Sequence, residues 1–233
     1  MKRIRQIIAK FDNEIKQYEV PLFRGAVNAV MDEGHSVLFH NHIDDWWRYS
    51  YPLIQYKRIG KKASIVCIEA GVDVIGELFN ASANVINIGD KEVVLQVESI
   101  KAYNRIVQIW NSMLEYQISN WLPLNTKNYS QFVATDNLND RILLLENILA
   151  ANILSFLKGI GIHVEEQVQC KIKTLSSPRA VKYKDLKLMS FDAKFKCNVS
   201  LPSYIGLGKA SSVGFGMVTQ IRDKKIISED NAK

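Results

Sequence analysis

Along the first hundred residues the spacing of apolar side chains switches between strand and helix periods in a fixed order, and that order limits the possible folds more than any single motif. Residues 3–11 read as a strand. Pro21 then opens a helix that carries Leu22, Ala26, Val27 and Val30 on one side and ends at Gly34. Runs rich in Val, Ile and Tyr follow at 36–42, 50–59 and 63–69, the last two separated by the turn Gly60-Lys61-Lys62. A second helix over 71–81 precedes a strand near 93–100. Strand, helix, strand pair, helix, strand is the order of a ferredoxin-like unit, whose two helices cover one face of an antiparallel sheet and leave the other face free.

The second half admits the same reading. Trp110 to Pro123 contains extended stretches, and Asn139–Lys158 is the clearest helix, apolar at 142, 145, 149, 153, 156 and 157 and ended by Gly159. Strands are expected at 162–174, 185–200 and 213–221. The fold class is therefore α+β, with two tandem ferredoxin-like (RRM-like) domains, 1–100 and 101–233, and a boundary between 95 and 110. The 233 residues, 47% apolar with 12 Gly and 5 Pro, exclude a disordered or collagen-like chain and suffice for two cores.

Cys67, Cys170 and Cys197 are few, odd in number and far apart, so neither a disulfide framework nor a cysteine zinc site is encoded. The N-terminus has basic residues but no apolar core of a signal peptide. The longest apolar stretch, Ile142 to Leu157, is interrupted by Glu146, Asn147 and Asn152 and is expected to fall short of the roughly 18 residues of a membrane span. A cytoplasmic protein is expected.

Lys and Arg total 30 against 24 Asp and Glu, a formal charge of +6. Between Gln167 and Ser200 stand Lys171, Lys173, Arg179, Lys182, Lys184, Lys187, Lys194 and Lys196 against only Asp185 and Asp192, so this one stretch equals the excess of the whole chain. Lys171 and Lys173 are two apart, as are Lys194 and Lys196, and residues two apart on a strand share a face. Such a stripe can track a phosphate backbone, and a solvated strand face is the competing account.

Near the C-terminus, Ile205-Gly206-Leu207-Gly208-Lys209-Ala210-Ser211-Ser212-Val213-Gly214-Phe215-Gly216 places four of the twelve glycines within eleven positions. Glycines allow a backbone to approach a phosphate closely, and Lys209, Ser211 and Ser212 add a charge and two hydroxyls. A Walker loop does not fit, because Gly208-Lys209 is followed by Ala210, and a dinucleotide fingerprint needs a helix where Met217-Val218-Thr219-Gln220-Ile221 reads as a strand. A hairpin that uses glycines only to turn is the alternative.

Gly-Leu-Gly, five residues, Gly-Phe-Gly at the end of a tandem ferredoxin-like chain resembles the C-terminal glycine-rich loop of the CRISPR-associated repeat-RNA processing endoribonucleases of the RAMP superfamily. Residues 38–57, Leu-Phe-His-Asn-His through Tyr-Pro-Leu-Ile-Gln-Tyr-Lys, resemble the amino-terminal half of one archaeal and bacterial branch of that family. The resemblance implies a metal-independent endoribonuclease that leaves a 2′,3′-cyclic phosphate and a 5′-hydroxyl, needs no cofactor, and has a catalytic histidine in its first domain. It also implies CRISPR repeat RNA as the partner, with RNA-binding at Gly206, Gly208, Lys209, Ser211, Ser212, Gly214 and Gly216, beside which the charge pattern makes Lys171, Lys173, Lys194 and Lys196 candidates for further RNA contact.

RNA carries its own nucleophile, so cleavage needs a base at the 2′-hydroxyl, an acid at the departing 5′-oxygen and a cation near the phosphate. Three of the four histidines, His35, His40 and His42, lie within eight residues, and His40 and His42 point the same way if 38–42 is extended. Imidazole titrates at about pH 6.5, which suits proton transfer near neutrality. On the next strand Tyr49, Tyr51, Leu53, Gln55 and Lys57 share a face that is polar for a strand with Pro52, Ile54 and Tyr56 on its other side. His40 or His42 is thus the candidate base, Tyr49 or Tyr51 the hydroxyl partner and Lys57 a weaker electrostatic candidate. Arg24 on the first helix is a candidate contact near the scissile bond.

Asp44 and Asp45 have no further carboxylates nearby, so a magnesium site has little support, and Trp46 and Trp47 suit either base stacking or an apolar plug. The alternative function is a RAMP-type subunit that binds repeat RNA without cutting it. A third is an α+β module for a small molecule or protein, whose basic stretch only solubilises. Other subunits of a CRISPR complex are further candidate partners, no membrane partner is expected, and the chain fits a monomer or a homodimer.

Overall fold

The fold is that of a computed structural model, which describes residues 1–31, 42–43, 46–47, 51–80 and 85–221. In the first half, β1 (Lys2–Glu14) leads through a 3-10 turn at Gln17–Glu19 into α1 (Val20–Val30). A short pair follows, β2 (His42–Ile43) and β3 (Trp46–Trp47), with His42 opposite Trp47. Then come β4 (Ile54–Ile59), β5 (Lys62–Ile68), α2 (Ala70–Asn80), the hairpin β6 (Val85–Ile88) and β7 (Lys91–Val94), and β8 (Val97–Val107). The main strands form an antiparallel sheet in the order β4-β5-β1-β8. Counting these four as first to fourth in the chain gives 2-3-1-4, the ferredoxin-like arrangement that the element order implied.

The second half repeats it. β9 (Ile109–Trp121) is followed by α3 (Thr126–Ala134), α4 (Leu138–Gly159), β10 (Cys170–Leu175), β11 (Arg179–Tyr183), β12 (Leu186–Val199) and β13 (Met217–Gln220). Their order β10-β12-β9-β13, with β11 paired to β12, is again 2-3-1-4. α4 is 22 residues long and is long and apolar enough, by length and composition, to cross a membrane, which corrects the expectation that this stretch falls short. In this fold its Leu145, Leu149, Ile153 and Phe156 are buried in the core that also holds Ile118, Phe195 and Val199 of the second sheet.

Strand alternation divides the first sheet into two buried faces. Ala9 and Phe11 of β1, Ile54 and Tyr56 of β4, and Ala63, Ile65 and Cys67 of β5 pack with Phe23 and Val27 of α1 and with Ile75 of α2. The opposite face carries Ile4, Gln6 and Ile8, Gln55 and Lys57, and Ser64, Val66 and Ile68, all buried. That face, expected to be free, is covered. Ile4, Ile8, Val66 and Ile68 would otherwise expose a contiguous apolar surface, and Ile4 and Ile68 join the core of the second half.

Much of the cover is residues 200–216, which occupy the chain position between third and fourth strands that α2 has in the first half. Instead of a helix, this segment folds back on itself: Leu207 N–H donates to Gly216 O (2.9 Å), Val218 N–H to Ile205 O (2.8 Å) and Gly216 N–H to Asn120 O (3.0 Å). Leu201, Ile205 and Leu207 enter the same core as α4. Gly216 is at φ +61°, and a Cβ there would collide with the Leu207 carbonyl, so glycine is required twice over. Among the described residues the structure adds elements that the apolar spacing did not indicate, including β3, the β6–β7 hairpin, α3 and β11.

Replacing Gly216 by Ala should lower stability by about 3 kcal/mol or more, measured by chemical denaturation, through the combined strain and clash. Gly25→Ala, in mid-α1 with nothing within 4 Å of the new methyl, should leave stability unchanged or raise it by about 0.5–1 kcal/mol.

Candidate functional site at the domain junction

The polar side chains on the covered face of the first sheet meet the glycine segment atom by atom. Lys57, completely buried, donates from Nζ to Ser211 O at 2.6 Å. Gln55 accepts at Oε1 from Gly206 N–H (2.8 Å) and donates from Nε2 to Pro52 O (2.9 Å). The Tyr51 hydroxyl donates to Gly206 O (2.9 Å), and its ring stands edge-on to Phe156 of α4. Gln6 Nε2 donates to Ser203 O (2.9 Å). Tyr56 N–H donates to Ser212 O (2.8 Å), so the segment also runs beside β4, an outer strand of the sheet. A Cβ on Gly206 would lie 2.5 Å from Lys57 Nζ and 2.6 Å from Ser211 O, which is why a residue without a side chain stands there.

Tyr51, Gln55 and Lys57 do share a face, as their spacing implied, but it is a face turned into the protein. Burial raises the Tyr51 phenol above its ordinary range, and burial lowers Lys57 to about 7. Neither group reaches the surface. The Tyr51 hydroxyl and the Lys57 amine, expected as a catalytic hydroxyl and a cation, are both buried with backbone carbonyls of the glycine segment as partners. Of the glycine-segment residues, Lys209 is exposed and Gly208 and Ser212 are half-buried, whereas Gly206, Ser211, Gly214 and Gly216 are buried. The amide donors of Gly206 and Gly216 serve internal bonds rather than an anion cradle.

Next to this seam a cleft of about 630 Å³ opens between the halves. One wall is the 3-10 turn and α1, with Tyr18, Arg24 and Asn28; the other is the β11–β12 hairpin, with Lys182, Tyr183 and Lys184. Val213 and Phe215 of the glycine segment also line it, and the Tyr183 ring stands edge-on to Phe215 at 5.6 Å. Gln17 Nε2 donates to Gly214 O (3.0 Å), tying one wall to the segment. Apolar spacing missed this cleft because its walls come from opposite ends of the chain, although Lys182 and Lys184 already stood out by charge.

The lysine stripe on the second sheet is in part compensated. Lys171 pairs with Glu146 (2.9 Å), Lys196 with Glu115 (3.8 Å) and Arg179 with Asp192 (2.7 Å). Lys171 stands opposite Lys196 across β10 and β12, while a bulge between Ile172 and Thr174 lets Thr174, not Lys173, pair with the exposed Lys194. Lys173 is the extra residue of that bulge, and it is exposed, as is Lys171. His35, His40, Asp44, Asp45 and Tyr49 lie outside the described residues, and of His42, Trp46 and Trp47 only the backbone pairing is described. Among the described residues, no three of His, Cys, Asp and Glu are grouped to hold a metal ion.

Because Lys57 is lowered to about 7 from 10.5 in the unfolded chain, the folded protein binds fewer protons than the unfolded one between these values. Stability should therefore rise with pH from about 7, with a slope of at most ~1.4 kcal/mol per pH unit. Above about pH 9 the trend reverses, because burial pushes the Cys67 and Cys170 thiols up and Cys197 up to about 12, so that thiolates form only in the unfolded chain. Denaturation between pH 6.5 and 8.5 should show this rise in the native protein and lose it in Lys57→Met. An equal slope in both would remove Lys57 as its source.

A family model for the Cas6b N-terminal domain matches residues 2–106, and one for the Cas6b C-terminal domain matches residues 108–221. An uncharacterized protein of Methanocaldococcus jannaschii is 36% identical over 113 residues, 48% of this chain and 76% of that protein. A crystal structure of Cas6b superposes with a TM-score of 0.85 at 26% identity, over 94% of this chain and 100% of that one. Two others share the fold: a CRISPR RNA processing endoribonuclease Cas6b (TM-score 0.71, 24% identity, 94% and 100% covered) and Csf5, a type IV Cas6 crRNA endonuclease (0.57, 11%, 95% and 100%). With the two matched domains of one family meeting where β8 passes into β9, the chain belongs to the Cas6b family.

Proposed function

We propose that this chain is an endoribonuclease that cuts CRISPR repeat RNA by attack of an RNA 2′-hydroxyl, without a metal ion. Family membership supports the substrate and the enzyme class. The location is supported by α1 forming a wall of the basic cleft while His35, His40 and His42 follow that helix in sequence, within the twelve residues after Val30.

In this mechanism His40 or His42 removes the proton from the 2′-oxygen, which attacks the adjacent phosphorus. The bond from phosphorus to the 5′-oxygen breaks, that oxygen takes a proton from the other imidazole or from the Tyr49 hydroxyl, and the products are a 2′,3′-cyclic phosphate and a 5′-hydroxyl. Arg24, Lys182, Lys184 and the exposed Lys209 supply positive charge around the strand. Tyr51 and Lys57 act from behind by fixing the glycine segment. Lys171, Lys173, Lys194 and Lys196 extend the basic surface over the second sheet. The Lys196–Glu115 pair is exposed on both sides, and such pairs contribute about 0–1 kcal/mol, so a phosphate can displace that carboxylate, whereas Lys171 leans on the buried Glu146.

The test is incubation with labelled repeat RNA in excess EDTA, beside RNA with a 2′-deoxy substitution at the cut nucleotide. Only the unmodified RNA should be cut, and replacing His40 and His42 together by Ala should slow cutting by about 10²–10⁴-fold while leaving RNA affinity within about threefold. Cutting of the deoxy RNA would rule out 2′-hydroxyl attack, and loss of cutting in EDTA would rule out the metal-free route. Tight binding with no cutting by the native protein would instead identify a non-cleaving RNA-binding subunit.

A further inference from the structure

The cleft is suited to more than a phosphate backbone. Tyr18 sits at its rim with 66% of its surface exposed, yet the backbone on both sides of it is pinned. Gln17 is bonded to Gly214 O (3.0 Å), and the buried Glu19 carboxylate accepts from Lys16 N–H (2.6 Å) and from Lys91 Nζ (2.8 Å). Fixing the backbone of an aromatic residue while leaving its ring in water forgoes the burial that usually stabilises such residues. Lys16 Nζ approaches the ring to 5.7 Å from its centroid.

Across the cleft the hairpin carries a second anomaly. Lys182 stands directly opposite Lys187 in the β11–β12 register, and Lys184 follows in the two-residue turn at φ +54°. Like charges facing each other across a strand pair repel, and an anion beside Lys182 in the cleft eases that repulsion. An exposed flat ring on one wall and Lys182 and Lys184 on the other match the two ends of a nucleotide, a base face and a phosphate. The volume, about 630 Å³, lies in the ordinary range of small-ligand pockets, and a base inside a helix has both faces covered by its neighbours, whereas an unpaired base offers a face to a side chain.

We propose that this cleft holds one unpaired nucleotide of the bound RNA, with its base stacked on Tyr18 and its adjoining phosphate on Lys182 and Lys184. The inference rests on the RNA-processing reading above and adds a subsite to it: the bound RNA must present a single-stranded nucleotide at a fixed place.

The experiment measures RNA affinity by fluorescence anisotropy with a labelled repeat oligonucleotide, and with a series of the same oligonucleotide in which each position in turn lacks its base. Tyr18→Ala should bind the intact RNA about tenfold or more weakly, and Tyr18→Phe should bind within twofold of native. One abasic position should weaken the native protein by a similar factor and have no further effect on Tyr18→Ala. The salt dependence separates the two walls: Tyr18→Ala should keep the native slope of log affinity against log salt, whereas Lys182→Ala with Lys184→Ala should lower it by about 0.7 for each phosphate that is no longer neutralised. Unchanged thermal unfolding of Tyr18→Ala shows that the fold is intact. If the native protein binds and cuts the repeat RNA but Tyr18→Ala binds it equally well, or no abasic position couples to Tyr18, the subsite is refuted and the RNA-processing reading stands. If the native protein neither binds nor cuts repeat RNA, that reading itself falls.

Discussion

Everything at the junction depends on the Lys57 amine being buried with a partner. Taking an amine out of water is costly unless it keeps a hydrogen bond, and the Ser211 carbonyl at 2.6 Å supplies one. The consequence is geometric. An apolar interface could slide by a residue at small cost, but Lys57, Gln55 and Tyr51 contact Ser211 O, Gly206 N–H and Gly206 O in a single register. The apolar residues around them, Ile4, Ile68, Ile205 and Leu207, supply the burial, and the polar seam decides where it happens. Glycine at 206 follows from the same constraint, since a side chain there would occupy the space of the Lys57 amine.

The two halves share a strand order, yet only the first has a helix between its third and fourth strands. In the second, the glycine segment does three things a helix could not do together. It places Leu207 in the core with α4, lays Ser212 along β4 so that an outer strand is covered, and offers Gly206 to the buried polar groups of the first sheet. A helix satisfies its own backbone groups along its length. An irregular segment with left-handed turns at Gly208, Gly214 and Gly216 leaves backbone groups available for another sheet.

The repeated element order is legible in the sequence because the apolar periods are strong where strands and helices pack on one another: the pattern predicts Asn139–Lys158 and the helix is Leu138–Gly159. The β6–β7 hairpin is hidden, although Gly89-Asp90 between Ile88 and Lys91 is a two-residue turn signal, because the flanking strands are only four residues each. Tyr51, Gln55 and Lys57 are legible as a polar face. Their direction is not, since alternation tells which residues share a face and not what covers it. The glycines are likewise legible as a close approach, but of the protein to its own first sheet. The cleft is beyond reach of local patterns, because Tyr18 and Tyr183 are brought together only by the junction.

The distribution of charge points the same way. The basic stretch does not spread its lysines apart; the sheet register sets Lys171 against Lys196 and Lys182 against Lys187. A surface selected only for solubility gains nothing from such pairings, which repel wherever they occur. One of them is eased by Glu146 and Glu115, acidic partners on neighbouring elements, while the other stands on the hairpin that walls the cleft. An anion bound beside Lys182 would offset a repulsion that this register carries.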